Sequence, residues 1–413
     1  MNKPIFLSAG GTGGHVFPAE ALARELLARG HEVHLITDTR GKAFGDALPE
    51  VKVHRVSAST PTGGLMTKAK AMLALVKGSS EATTLVKAHH PRAVVSFGGY
   101  PSFPGAVAAI RSGTPLFLHD SNAVLGRANR VVARFAKLIA KSFEKVIGLP
   151  KNRPNQLTGT PVRPAIAALR DVAYTAPEPG GPIHLLITGG SQGARIFGQI
   201  VPAAIALLDP ALRQRLHLSQ QVRAEDIESV QKLYTDMGIG GQVELQNFFS
   251  DMPQRIAKAH LCIGRAGGGT VAELTAAGRP AIYVPLPIAI LDEQTWNARA
   301  VEEAGGAWLM PQPEFTPQAL ANLLKRILND PASLEAAARA APQEQRAAAG
   351  PGAGVFALVQ YQFPVDDDVV DANGILMGIV EGGLVDNGIG VEYHHVGGSA
   401  GAQHAAIFEA KGP

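Results

Sequence analysis

The sequence predicts an α/β protein of two Rossmann-like halves, each grown from strand, glycine-loop and helix units. Three observations carry this. A short apolar run leading into a glycine cluster recurs at Ile5, Ala93, His184 and His260, and a helical pattern follows it. Apolar residues make up 46 % of the chain and charged residues 18 %, a balance that builds cores and excludes overall disorder. The 413 residues, at roughly 100–200 per domain, allow two or three domains.

The elements follow in order. Residues 4–9 form an apolar strand that ends in Gly10-Gly11-Thr12-Gly13-Gly14-His15. Ala19, Ala21, Leu22, Leu26 and Leu27 then repeat at helical spacing until Gly30 stops the helix, and Val33–Thr37 reads as the next strand. Ala93–Phe97 is a strand before Gly98-Gly99-Tyr100-Pro101-Ser102, with a small-residue helix from Pro104 and another strand at 114–119. The Pro-rich, polar stretch Leu149–Pro154 reads as the approach to a domain boundary. A second unit opens with His184–Thr188, Gly189-Gly190-Ser191-Gln192-Gly193-Ala194 and a helix through Ile205 and Leu208. His260–Ile263 leads to Gly264–Thr270, a helix over Val271–Ala277, and a buried strand over Pro280–Pro285. Past Ala341 the pattern changes to glycine-rich segments with Asp366–Asp368. We therefore expect domains at 1–163 and 164–342, and an atypical tail at 343–413, disordered or β-rich.

The net charge of +3 conceals an asymmetry. Residues 1–163 carry 22 lysines and arginines against 9 acids, a balance of +13; residues 164–342 balance at −3 and residues 343–413 at −7. A basic front half calls for an anionic partner such as a phosphorylated ligand or a membrane surface. No basic motif interleaved with aromatics supports nucleic acid. The lone Cys262 excludes an intramolecular disulfide and a cysteine metal cluster, and fits a reducing cytosol. The N-terminal apolar run is too short for a signal-peptide core, and no run approaches a bilayer span. No His-Glu-x-x-His or Cys-x-x-Cys occurs. The pairs His89-His90 and His394-His395 are adjacent residues that point in different directions, so no metal and no cofactor is expected.

A strand that delivers a glycine loop to a helix N-terminus exposes backbone N–H groups in a partial positive field, a phosphate site. Gly10–Gly14 fits neither the dinucleotide fingerprint nor the P-loop. Each loop alone could be a tight turn without a ligand; three of them at parallel strand ends favour a ligand. His15 is either a residue capping a helix start or a neutral imidazole base. Glu273 either favours a helix dipole or accepts two ribose hydroxyls. Asp292, Glu293, Gln294 and Asn297 either cap a helix or hydrogen-bond a sugar. Arg163 and Ser191 are candidates for a diphosphate.

Taken together, Gly10–Ala19, Phe97–Ser102, Asn122–Asn129, Gly159–Arg163, Gly189–Ala194, Gly267–Glu273, Gln294–Ala298 and Glu303–Ala307 resemble one family over about residues 3–342. It comprises the family 28 peptidoglycan glycosyltransferases that add N-acetylglucosamine to undecaprenyl-diphospho-N-acetylmuramoyl-pentapeptide, converting lipid I to lipid II. The resemblance implies a GT-B fold, two Rossmann-like domains facing across a cleft. The first would face acceptor and membrane and the second would bind UDP-N-acetylglucosamine. By motif position, Glu273 would hold the ribose, with Ser191 and Arg163 at the diphosphate. Gly268, Gly269, Thr270, Val271, Ala272 and Glu273 would wrap the nucleotide, with Phe249 near the uracil and Gln294 on the donor sugar. Thr12, Gly13, Gly14 and Asn122 would reach in from the first domain, and His15 falls at the family's functional histidine. Departures are Asp120-Ser121 for Glu-Gln, Thr160 for Asn, Phe249 for Ile, Glu293 for His or Gln, and the tail.

The implied reaction is attack of the muramoyl 4-hydroxyl on the anomeric carbon, with inversion and loss of UDP. A lipid acceptor gives residues 64–90 a meaning. Leu65, Met66, Met72, Leu73, Leu75 and Val76 interleave with Lys68, Lys70, Lys77 and Lys87, either as a helix burying one face or as a patch for anionic lipid. The implied location is peripheral, on the cytoplasmic face of the bacterial inner membrane. Three other readings share the fold: transfer to another lipid or small acceptor, a UDP-N-acetylglucosamine 2-epimerase needing no acceptor, and a non-catalytic UDP-sugar binder.

Overall fold

The computed structural model of the chain describes residues 3–11, 13–39, 48–61, 63–190 and 194–340. Thr12, Ser191 and the tail 343–413 lie outside the described residues. The first half runs β1 (Ile5–Ser8), α1 (Gly13–Ala28), β2 (Val33–Asp38), β3 (Lys52–Val56), α2 (Leu65–His89), β4 (Ala93–Ser96), α3 (Phe103–Ser112), β5 (Leu116–Asp120), α4 (Arg127–Val132), β6 (Leu138–Lys141) and β7 (Asn155–Leu157). The strands form one parallel sheet in the order β3-β2-β1-β4-β5-β6-β7. β1, β4 and β5 are buried along their whole length, as strands covered on both faces must be. β7 pairs with β6 beyond the Pro-rich Leu149–Pro154, so that stretch is a connection inside the first sheet rather than its end.

The second half repeats the scheme: α5 (Pro164–Ala167), β8 (Ile183–Thr188), α6 (Arg195–Ala206), α7 (Pro210–Arg213), β9 (Leu216–Gln221), α8 (Ile227–Asp236), β10 (Val243–Gln246), α9 (Met252–Lys258), β11 (Leu261–Gly264), α10 (Gly268–Ala276), β12 (Ala281–Tyr283), α11 (Glu293–Glu303), β13 (Ala307–Leu309), α12 (Pro317–Leu328) and α13 (Pro331–Ala340). Its parallel order is β10-β9-β8-β11-β12-β13. In each sheet the order reverses at one place, between β1 and β4 and between β8 and β11. A ligand crevice opens at such switch points, beyond the strands' C-terminal ends. The expected glycine loops follow these four strands.

Ala123 and Phe143 of the first half pack into an apolar core of the second with Ile166, Leu186, Val271 and Ala298. The two halves are therefore in direct apolar contact. No helix among the described residues is long and apolar enough to cross a membrane.

Candidate active site

The first glycine loop turns sharply because it must. Gly11 has φ +85°, and a Cβ on Gly10 would stand 2.7 Å from Pro101 and 2.9 Å from the Thr37 hydroxyl. This brings His15 into the first turn of α1, where its Nδ1 lies 2.8 Å from the Phe97 carbonyl. A carbonyl only accepts, so Nδ1 carries the proton and Nε2 keeps its lone pair. Nε2 faces Gly99, whose absent side chain leaves room: a Cβ there would lie 3.2 Å from it. Burial pushes the His15 imidazole below its ordinary value, against the opposing pull of Asp120 and the Phe97 carbonyl. The imidazole is thus neutral at pH 7.

His15, Gly99, Tyr100, Asp120 and Asn122 line a cavity of about 120 Å³ together with Leu291 and Glu293 of the second half. Asp120 ends β5 and braces the loop after it. Oδ1 accepts from the Asn122 backbone N–H at 3.1 Å, and Oδ2 accepts from the Gly126 N–H at 2.9 Å and the Asn129 amide at 3.0 Å. Across the cavity, Leu291 and Asp292 hold left-handed φ of 60° and 56°, a strained entry to α11. The Asp292 carboxylate accepts from Thr295 Oγ1 at 2.6 Å, and burial raises the Glu293 carboxyl above its usual range.

The halves meet at their helix starts. Gly268 opens α10, and a Cβ there would overlap the Ser121 carbonyl; at Gly269 it would stand 3.6 Å from Gly14 Cα. The Ser121 hydroxyl donates to the Gly14 carbonyl at 3.3 Å. Buried Asn297 spans the junction. Its Oδ1 accepts from the Ala123 N–H at 2.7 Å, and its Nδ2 donates to Asn122 Oδ1 and to the Ala266 carbonyl, each at 3.0 Å. Arg163 donates through Nε and Nη2 to Glu273 Oε1 at 2.9 Å, and its guanidinium stands 4.9 Å from the Phe17 ring of α1. Burial raises the Glu273 carboxyl, and Arg163 pulls it back.

His15, Gly13, Gly14, Asn122, Arg163 and Gly268–Glu273 therefore gather where the halves meet. Val271 and Ala272 are buried, so they can offer a ligand only backbone. Gln294 Oε1 accepts from the Leu286 N–H at 3.1 Å, which ties α11 to the chain after β12. Phe249 is buried, with the Arg255 guanidinium 4.0 Å from its ring centre. Sequence reasoning missed the bracing role of Asp120, though Asp-x-Asn is an Asx-turn spacing, and the bridging role of Asn297. A roomier cavity of about 380 Å³, lined by His184, His217, Ser219, Arg255 and Lys258, lies by β8–β10 and α9. It lies along the first residues of β8 rather than beyond its C-terminal end, and no residue of the four glycine loops lines it, so the smaller one is the candidate site.

Comparison with known proteins identifies the family. The model of the glycosyltransferase family 28 N-terminal domain matches residues 5–141, and that of the C-terminal domain matches residues 184–350. The chain is 56 % identical over 340 residues to the UDP-N-acetylglucosamine--N-acetylmuramyl-(pentapeptide) pyrophosphoryl-undecaprenol N-acetylglucosamine transferase of Rhodospirillum centenum, covering 82 % of this chain and 89 % of that relative. It is 50 % identical to the Rhodospirillum rubrum protein of the same name, covering 83 % and 88 %. The crystal structure of Acinetobacter baumannii MurG superimposes with a TM-score of 0.68 at 30 % identity, over 87 % of this chain and 100 % of that one. The kitacinnamycin glycotransferase, at 17 % identity and a TM-score of 0.64 over 87 % and 99 %, shares the fold.

Proposed function

The chain belongs to glycosyltransferase family 28, and we propose that it transfers N-acetylglucosamine from UDP-N-acetylglucosamine to the muramoyl 4-hydroxyl of lipid I, forming lipid II. The observation that carries the chemistry is the neutral His15 imidazole, its Nδ1 committed to the Phe97 carbonyl and its Nε2 free to take a proton in the cavity between the halves. In the reaction His15 accepts the acceptor hydroxyl's proton, the oxygen attacks the anomeric carbon from the face opposite the leaving group, and UDP departs with inversion. The starts of α1 and α10 stabilise the charge that grows on the diphosphate. Arg163, released from Glu273, adds its charge there, and Glu273 turns to the ribose hydroxyls. Gln294 takes the donor sugar. No step requires a metal.

Arg163 and Glu273, assigned to the donor, hold each other and do not line the cavity of about 120 Å³ beside His15, so the donor enters by opening that pair. Binding then replaces the Arg163–Glu273 pair with contacts to the nucleotide.

The lipid acceptor requires a membrane-facing surface, and α2 supplies one. Ala71, Leu75, Gly78, Ser79, Ala82 and Val86 are its buried face, so Leu75 is core. Leu65, Met66, Met72, Leu73 and Val76 stay 53–86 % exposed on the same helix as Lys68, Lys70 and Lys77. Apolar side chains left in water beside lysines suit insertion among anionic headgroups. This reading puts the protein at the cytoplasmic face of the bacterial inner membrane. Charge reversal at Lys68, Lys70 and Lys77 is expected to weaken binding to anionic vesicles and to leave transfer to a soluble acceptor analogue unchanged; unaltered vesicle binding refutes it.

The deciding experiment is transfer from labelled UDP-N-acetylglucosamine to a lipid I analogue, with and without residues 343–413. Product only from the other acceptors, or epimerisation of the free UDP-sugar, refutes the assignment.

A further inference from the structure

His34, His54 and His89 are far apart in sequence, and the fold gathers them. His34 lies near the start of β2, His54 in the edge strand β3, and His89 in the last turn of α2. One ring nitrogen from each lies within 4.8 Å of the other two, and His54 Nε2 is 3.0 Å from His34 Nδ1. We propose that these three histidines bind one divalent transition-metal ion of the zinc class, with Glu32 orienting His34 from outside the coordination sphere.

Four observations support this. Bonds of about 2.0–2.1 Å at tetrahedral angles put ligand nitrogens about 3.3 Å apart, inside the observed range, so small ring rotations complete the site. His34 Nε2 donates to Glu32 Oε1 at 3.0 Å, which leaves Nδ1 with its lone pair facing His54. A carboxylate on the far nitrogen of a ligand histidine is the usual outer support of a metal site. His34 is fully buried and His54 half-buried, so both rings are held in place by their surroundings. The Phe6 ring, 4.8 Å from His34 and 5.7 Å from each of the others, gives the cluster a rigid apolar floor.

Without metal, the proton on His54 Nε2 fills the gap by donating to His34 Nδ1. Metal takes its place when that neutral ring carries its proton on Nδ1 instead. Glu32 also holds Lys52, so its charge offsets the ammonium nearest the site. His89 is exposed, and the helix C-terminus around it favours a cation, so the ion enters from solvent and water completes its coordination. Local spacing could not reveal the site: the ligands are 20 and 35 residues apart, and the pairing of His89 with His90 in sequence is incidental. The bound ion ties the edge strand to the C-terminal end of α2, at the opposite end of β2 from the glycine loop, and independently of the transfer reaction.

The test uses metal-stripped full-length protein titrated with Co²⁺, read by its visible d–d bands, and then with Zn²⁺. We expect one Co²⁺ per chain with a four-coordinate spectrum, displacement by Zn²⁺, and a higher melting temperature with either ion. His89→Ala, at an exposed position, and His54→Gln are expected to abolish the bands. Glu32→Gln is expected to weaken affinity about 10–100-fold, and His90→Ala to change nothing. A wild-type chain that takes up no Co²⁺, or binding that survives in H89A or disappears in H90A, overturns the proposal.

Discussion

The proposed reaction places the proton transfer on one ring, His15, and its behaviour is open to direct measurement. His15→Ala is expected to lower kcat by about 10²–10⁴-fold, the usual contribution of a positioned base, with little change in donor KM. Near-normal turnover in a steady-state assay would refute the role. Because the imidazole is held below its ordinary value of 6.5 by burial, the acid limb of kcat/KM should break below pH 6.5, with activity lost as pH falls. The residue was legible in the sequence as a histidine after a glycine loop, but its tautomer was not. That depends on the Phe97 carbonyl, 82 residues away. Arg163 and Glu273 were legible as separate candidates. Their pairing, 110 residues apart, comes from the closure of one half on the other.

Among the elements, the strand–loop–helix units could be read because apolar runs and glycines punctuate them strongly. β3, with an exposed edge pattern, and β7, three residues long, carried no such signal. α10 begins at Gly268, three residues before the helix that its apolar pattern suggests, because Gly268 and Gly269 are placed by close approach rather than by propensity. Gly268→Ala tests that approach. The new methyl meets the Ser121 carbonyl and pushes α10 from α1, and displacement of about 1 Å at a catalytic junction can cost about 10²-fold. We expect kcat/KM for the donor to fall by one to two orders of magnitude while circular dichroism stays native. An unchanged kcat/KM would mean that the two helix starts need not meet.

For the molecule as a whole, two α/β halves followed from the sequence grammar, but the strand order and the bridge between the sheets did not, since Asn297 looks like any polar helix residue. Asn297→Ala removes hydrogen bonds to Ala123, Asn122 and Ala266 and leaves buried partners unsatisfied, a loss of about 1–3 kcal/mol that thermal or urea unfolding would register. Acid should act globally as well. Seven of the ten histidines among the described residues are held below their ordinary value, chiefly by burial, with His54, His119 and His184 at about 4. The unfolded chain therefore binds more protons between pH 6.5 and 4. The histidine contribution to stability is full above 6.5 and is lost as pH falls through 4, so the urea midpoint should drop across that window. A flat midpoint would contradict the burial of these rings. The facing starts of α1 and α10 carry one more consequence. In the proposed reaction these two positive helix ends would hold the departing diphosphate as firmly after the bond breaks as during the break. UDP is then expected to compete with the donor for the free enzyme, and initial rates measured at rising UDP concentration check this.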